Sequence, residues 1–182
     1  MGVFVILLRA IGPVTHKIMS MAQWREAVAA AGFRNPQTYI ATGNMIVEGD
    51  GSAAAVTRRM NEIVRSLGLG EGNVAVVRTP RQLRELVKAD PFPKAAAERG
   101  DQMGVYFFAG NKPDFGWIAQ YDGPEKLHIE AEHLIVDYSG QISASPKLPG
   151  LIERRSGTTT ARNWNTLKGL AAKATAREHG ED

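Results

Sequence analysis

Residues 158–166, Thr-Thr-Thr-Ala-Arg-Asn-Trp-Asn-Thr, concentrate side chains able to hold a ligand. Arg162 offers a bidentate fork to a carboxylate or phosphate. Asn163 and Asn165 add amides that fix orientation, and Trp164 adds a ring face on which a base can stack. The alanine-rich stretch that follows predicts a helix, whose N-terminus contributes positive partial charge. The same residues also have a structural explanation, with Asn163 or Thr160 as N-cap and Trp164 as a core anchor. That explanation carries more weight, because a single tryptophan beside a cap is usually packing. The chemistry the run would perform is binding of an anion.

The charge distribution points the same way. The net charge is +3, yet between residues 147 and 177 seven basic residues face the single acid Glu153. The rest of the chain is therefore net acidic, and such an asymmetry raises the prior for an anionic partner. Lys147 and Arg154 are expected at the rim of the site. Arg9 directly follows an apolar run and should emerge at a strand end, where loops often carry function. Asn44 sits in a Gly43-Asn44 turn, where a positive φ explains it as well as a ligand does. The expected ligand-binding set is thus Arg9, Asn44, Lys147, Arg154, Arg162, Asn163, Trp164 and Asn165. An anionic small molecule is the leading partner. Nucleic acid ranks below it, because the aromatic strand pattern of an RNA-recognition sheet is absent.

Catalytic classes are harder to support. The chain has no cysteine, which removes disulfides, thiolate zinc sites and cysteine nucleophiles together. His128-Ile129-Glu130 matches a fragment of the zinc deaminase signature, whose cysteine ligands are missing here. Asp114-Phe115-Gly116 matches a kinase tripeptide without a glycine-rich loop or catalytic loop beside it. No P-loop, dinucleotide fingerprint or nucleophile elbow occurs. No metal and no cofactor is expected. A small enzyme on a phosphorylated or nucleotide-like substrate would need a general base, for which Asp137, Glu130 and Glu153 are the candidates. No stretch approaches the roughly 18 apolar residues of a membrane span, and the apolar N-terminal run reads as a strand rather than a leader, so a cytoplasmic protein is expected.

The elements that position these residues follow from periodicity and capping. Residues 3–8 form a strand apolar on both faces, and Gly12-Pro13 opens a loop through Lys17. Ser20 and Gln23 make a capping box for a helix from Met21 that ends at Gly32. Thr38–Ala41 and Met45–Val47 form a hairpin around Gly43-Asn44. Val56, Met60, Ile63, Val64 and Leu67 lie on one face of a helix over 53–67. A strand over 73–78 leads to Thr79-Pro80-Arg81-Gln82, a second capping box ahead of a helix that stops before Pro91. The second half gives a strand at 103–108, a short helix at 113–121 and strands around 127–129 and 134–136. A helix from Ser145-Pro146 and a last helix from Asn163 complete it. The order β-α-β-β-α-β is ferredoxin-like. The predicted fold is α+β: two ferredoxin-like halves with antiparallel sheets, and C-terminal helices packing across. The halves span 1–90 and 102–182, with a seam at 91–101, and the site is expected in the cleft between them.

Three segments resemble a bacterial family known as domain of unknown function 1697. They are Leu7-Leu8-Arg9-Ala10-Ile11, Thr38-Tyr39-Ile40-Ala41-Thr42-Gly43-Asn44, and Thr159-Thr160-Ala161-Arg162-Asn163-Trp164-Asn165-Thr166. Val77-Arg78-Thr79 and Asp90-Pro91-Phe92 also fall where that family places similar residues. The resemblance implies two ferredoxin-like halves and assigns no activity. The chain departs from the pattern at Ala10, where the family has glycine, at Gly12-Pro13-Val14-Thr15-His16, at Ala41-Thr42, and at the inserted Ala161. Without the glycine, the backbone of the first loop cannot approach a phosphate as closely.

Overall fold

The computed structural model describes residues 1–40 and 43–181. The chain forms two compact units, Met1–Arg84 with Leu170–Asp182, and Glu85–Gly169. The first contains β1 (Gly2–Leu8), α1 (Pro13–Ile18), α2 (Met21–Ala30), β2 (Arg34–Thr38), β3 (Asn44–Gly49), α3 (Ala53–Ser66) and β4 (Ala75–Arg78). Its sheet runs β2-β3-β1-β4 with every neighbour antiparallel, the ferredoxin-like arrangement. Helix α4 (Pro80–Ala89) follows β4, with the expected Thr79–Gln82 box in place: Gln82 N donates to Thr79 Oγ1 at 3.3 Å and Thr79 N to Gln82 Oε1 at 2.9 Å.

Phe4, Ile6 and Leu8 of β1 meet Trp24 and Val28 of α2 and Val56, Met60, Ile63 and Val64 of α3 in one core. Each large side chain buried this way stabilises the fold by about 1.5–3 kcal/mol. Val5 and Leu7, on the other face of β1, are also fully buried, as an all-apolar strand requires.

Several expectations for this unit need correction. Residues 13–18 are helical rather than a loop. Pro13 sits in the first turn, where a missing N–H does no harm, and Thr15 Oγ1 accepts from Gly12 N at 2.8 Å. The first hairpin strand is Arg34–Thr38 and not Thr38–Ala41. Pro36 is tolerated in β2 because this is an edge strand with a register shift between Arg34 and Gln37. Ile40 has φ 58°, outside any strand conformation, and Ala41 and Thr42 lie outside the described residues. The turn's positive φ belongs to Gly43, at 80°, while Asn44 opens β3.

The second unit holds α5 (Pro93–Arg99), β5 (Met103–Phe108), β6 (Lys126–Glu130), β7 (His133–Asp137), α6 (Leu148–Ser156) and β8 (Thr159–Asn163). Its sheet order, β6-β7-β5-β8, repeats that of the first unit. Helix α7 (Trp164–Glu178) begins here, and from Leu170 its residues belong to the first unit. Residues 91–101, expected as a seam, carry α5. The helix expected over 113–121 reduces to a 3-10 turn at Ile118–Gln120. Asp114 turns the chain back on itself there, accepting from Gly116 N at 2.8 Å, and Asp114 N donates to Ser156 O. Helix α6 starts at Leu148 with Pro149 in its first turn. Ser145 caps nothing; its N–H closes a preceding 3-10 turn on Ile142 O. The largest omission is β8: residues 159–163, expected to hold a ligand or to cap the last helix, are an edge strand.

Candidate functional site

The site is built on one face of the second sheet. β5 pairs with β8 in the register Gly104↔Asn163, Tyr106↔Ala161 and Phe108↔Thr159, and with β7 as Gly104↔Val136 and Tyr106↔Leu134. Strand alternation therefore collects Gly104, Tyr106, Thr159, Ala161 and Asn163 on the face that α6 covers. Leu148 and Ile152 of α6 fill the core with Phe108, Leu134 and Val136. Its residues Pro149, Gly150 and Glu153 instead border an open cavity of about 410 Å³, lined also by Met103, Gly104, Tyr106, Tyr138, Ile142, Thr159, Ala161 and Asn163. That volume lies in the range of small-molecule sites. All of these residues belong to the second unit.

Tyr106 and Tyr138 are 3% and 5% exposed, and their hydroxyls hydrogen-bond to each other in the cavity wall. A Cβ on Gly104 would sit 2.9 Å from the Tyr138 hydroxyl oxygen, so only glycine admits the ring there. Burial raises both phenol pKa values, so both hydroxyls stay protonated at neutral pH. Asn163 Oδ1 accepts from Thr166 N at 2.8 Å and caps α7, which leaves the Nδ2 donors as the remaining polar capacity of a wall residue. Arg154 is exposed and lies one turn beyond Gly150 on the same helix face, with Nη1 3.3 Å from where a Gly150 Cβ would be. Its guanidinium stands at the rim. Lys147 is the N-cap residue of α6 and supplies no side-chain cap, so the first-turn N–H groups keep their positive partial charge.

The other predicted residues lie elsewhere. Arg162 and Asn163 are consecutive on a strand and face opposite sides. Arg162 Nη1 donates to Thr160 Oγ1 at 2.6 Å and to Ala161 O at 2.9 Å, and burial pushes its pKa down to about 10. Trp164 is 2% exposed and offers no ring face to a base. Asn165 packs over Gly100, where a Cβ would fall 2.4 Å from its Oδ1. Arg9 and Asn44 belong to the first unit: Arg9 Nη1 donates to Gly72 O at 3.0 Å, and the buried Asn44 donates from Nδ2 to Tyr39 O at 3.0 Å. Of the eight expected residues, Asn163 lines the cavity, Arg154 stands at its rim and Lys147 starts the helix that borders it.

Sequence reasoning missed Tyr106, Tyr138, Gly104 and Gly150. The usable signal was a glycine and a tyrosine at alternate positions of the apolar strand β5 and a second tyrosine directly after β7.

The carboxylates divide by environment. Asp137 is buried and bound bidentately by Arg99, with Nη2 at 3.0 Å from Oδ2, and its Oδ1 accepts from Ser139 N at 2.9 Å. The Arg99 guanidinium holds this carboxyl below the usual range, the wrong direction for a general base. Glu130 pairs with His128 Nε2 at 2.9 Å on the edge strand β6. Only Glu153 borders the cavity. Among the described residues no group of three or more His, Cys, Asp or Glu could hold a metal, and no helix is long and apolar enough to cross a membrane. A second cavity, about 500 Å³, lies in the first unit between β2 and the end of α7. Its buried Arg177 donates to Asn35 O at 2.8 Å and to Gln37 Oε1 at 3.0 Å, bonds that fasten the edge strand.

Two four-stranded antiparallel sheets of the same strand order, one with a polar cavity under its covering helix, define an α+β protein of paired ferredoxin-like units. The chain belongs to the family described as protein of unknown function (DUF1697), whose model matches residues 1–134. The first two resembling segments lie inside that match, and the third lies beyond it. Among solved structures, the conserved bacterial protein SP0830 from Streptococcus pneumoniae is similar with a TM-score of 0.72 at 16% identity, covering 94% of this chain and 98% of that one. At that identity the likeness shows the fold. No curated protein matches the chain.

Proposed function

We propose that the protein is a non-catalytic binding protein for a small anionic molecule, held in the cavity of the second unit with Asn163 in the wall and Arg154 at the rim. The carrying observation is a largely apolar pocket with an amide in its wall and an arginine beside it. The Asn163 amide and the uncapped first turn of α6 border about 410 Å³ of space, the Arg154 guanidinium lies beside the lining residue Gly150, and Glu153 is the one acidic lining residue. Arginine would neutralise a carboxylate or phosphate, and the amide would fix its orientation. Met103, Ile142, Pro149 and Ala161 give the ligand's body an apolar seat.

Calorimetric titration with benzoate tests this reading, since benzoate joins one carboxylate to an apolar ring. Millimolar or tighter binding is expected, weakened about fivefold to tenfold by Arg154→Gln, the size of a charge-assisted contact at an exposed rim. Ala161→Leu, which fills the cavity, should abolish it. Binding indifferent to both substitutions would contradict the reading.

A further inference from the structure

Tyr106 and Tyr138 carry a hydrogen-bond count that does not close within the protein. Two neutral phenols bring two protons and two acceptor oxygens. Their mutual bond uses one proton, whichever ring donates. Among the described residues neither hydroxyl has another hydrogen-bond partner. Both side chains are more than nine-tenths buried, and both line the cavity. A buried O–H without an acceptor carries a desolvation penalty, and such groups in native proteins are normally matched. The acceptor must come from what fills the space.

We propose that the Tyr106–Tyr138 pair is the ligand-recognition element of this cavity, donating its remaining O–H to a carbonyl or carboxylate oxygen of a small molecule with an apolar body. This rests on the cavity assigned above and narrows what it takes. Gly104 keeps the Tyr138 hydroxyl in place, because a Cβ would stand 2.9 Å from it. Met103, Ile142 and Pro149 meet the apolar part. A ligand without any acceptor atom would leave the proton stranded, so hydrocarbons are excluded on the same count.

Benzoate and benzamide separate this inference from the anionic reading, since the two share shape and a carbonyl oxygen and differ in charge. The decisive variant is Tyr106→Phe/Tyr138→Phe in the full chain. Removing both hydroxyls at constant ring volume leaves no orphan, so folding should be nearly unaffected. Calorimetry should show both probes weakened about fivefold to tenfold in the double variant, while Arg154→Gln weakens benzoate alone.

Unchanged binding of both probes to the double variant would make the pair structural and overturn the inference. If Arg154→Gln still weakened benzoate in that case, the anionic reading would survive. Tyrosine-dependent binding of both probes, with Arg154→Gln without effect on benzoate, would keep the inference and remove the anionic reading. No binding of either probe overturns both. A second measurement uses the wild-type protein: NOEs from bound benzamide to the Tyr106 and Tyr138 ring protons are expected, and bound benzamide without them overturns the inference.

Discussion

The two units share one sheet order and differ in what covers it. In the first, the crossover between the first two strands carries α1 and α2, and α2 seats Trp24 and Val28 on the sheet beside a 14-residue α3. In the second, the same crossover is an irregular segment with a single 3-10 turn, and the later helix α6 has 9 residues. Phe115, Trp117, Ile118 and Tyr121 from that segment only partly replace the missing helix. One unit is closed by two amphipathic helices, and the other keeps a cavity under one. Identical topology therefore accompanies two covering helices on the sheet in one case and a cavity beneath a single helix in the other.

Substitutions should expose this difference. Trp24→Ala removes a fully buried ring from the closed unit and should destabilise the protein by about 3–5 kcal/mol. Trp117→Ala in the open unit should cost roughly half as much, since that ring is partly exposed and loses one bond, Nε1 to Ser156 Oγ at 2.8 Å. Equal losses in chemical denaturation would break the comparison.

The pair Arg99–Asp137 belongs to the open unit alone. Arg99→Ala leaves the carboxylate buried and should cost about 3 kcal/mol. Because the folded pKa of Asp137 is depressed, its contribution is complete above the unfolded value, about 3.9, and is lost as pH falls through the folded value. The wild-type thermal midpoint should fall more steeply than that of Asp137→Asn in this acid window, and parallel curves would contradict the assignment.

Smaller effects sharpen the sequence reading. Asn163→Ala should cost about 1 kcal/mol through the lost cap, measured by thermal denaturation. Ala10 adopts φ 62°. Ala10→Gly should stabilise the protein by up to about 1 kcal/mol by relieving a left-handed conformation. A loss of stability would show that the side chain matters more than the backbone there.

What was legible in the sequence was local. The Ser20–Gln23 and Thr79–Gln82 boxes, the apolar stripe of α3 and the all-apolar β1 each follow from residues within one or two turns, and all four are present. The site was not local. Residues 159–163 have the hydroxyl and amide content of a loop, yet pairing with β5 makes them a strand, and strand alternation then sends Arg162 away from Asn163. Tyr106 and Tyr138 are 32 positions apart, and only the antiparallel pairing of β5 with β7 brings their hydroxyls together. Composition identified the basic segment, but only the fold shows that Gly150, one turn before Arg154, borders the cavity.

The most direct test of the central claim is amide chemical-shift mapping of the full chain with benzoate. Saturable shifts centred on Gly104, Gly150, Ala161 and Asn163 are predicted. Shifts centred on Arg9, Gly72 or Lys173, or none at all, would contradict a binding cavity in the second unit.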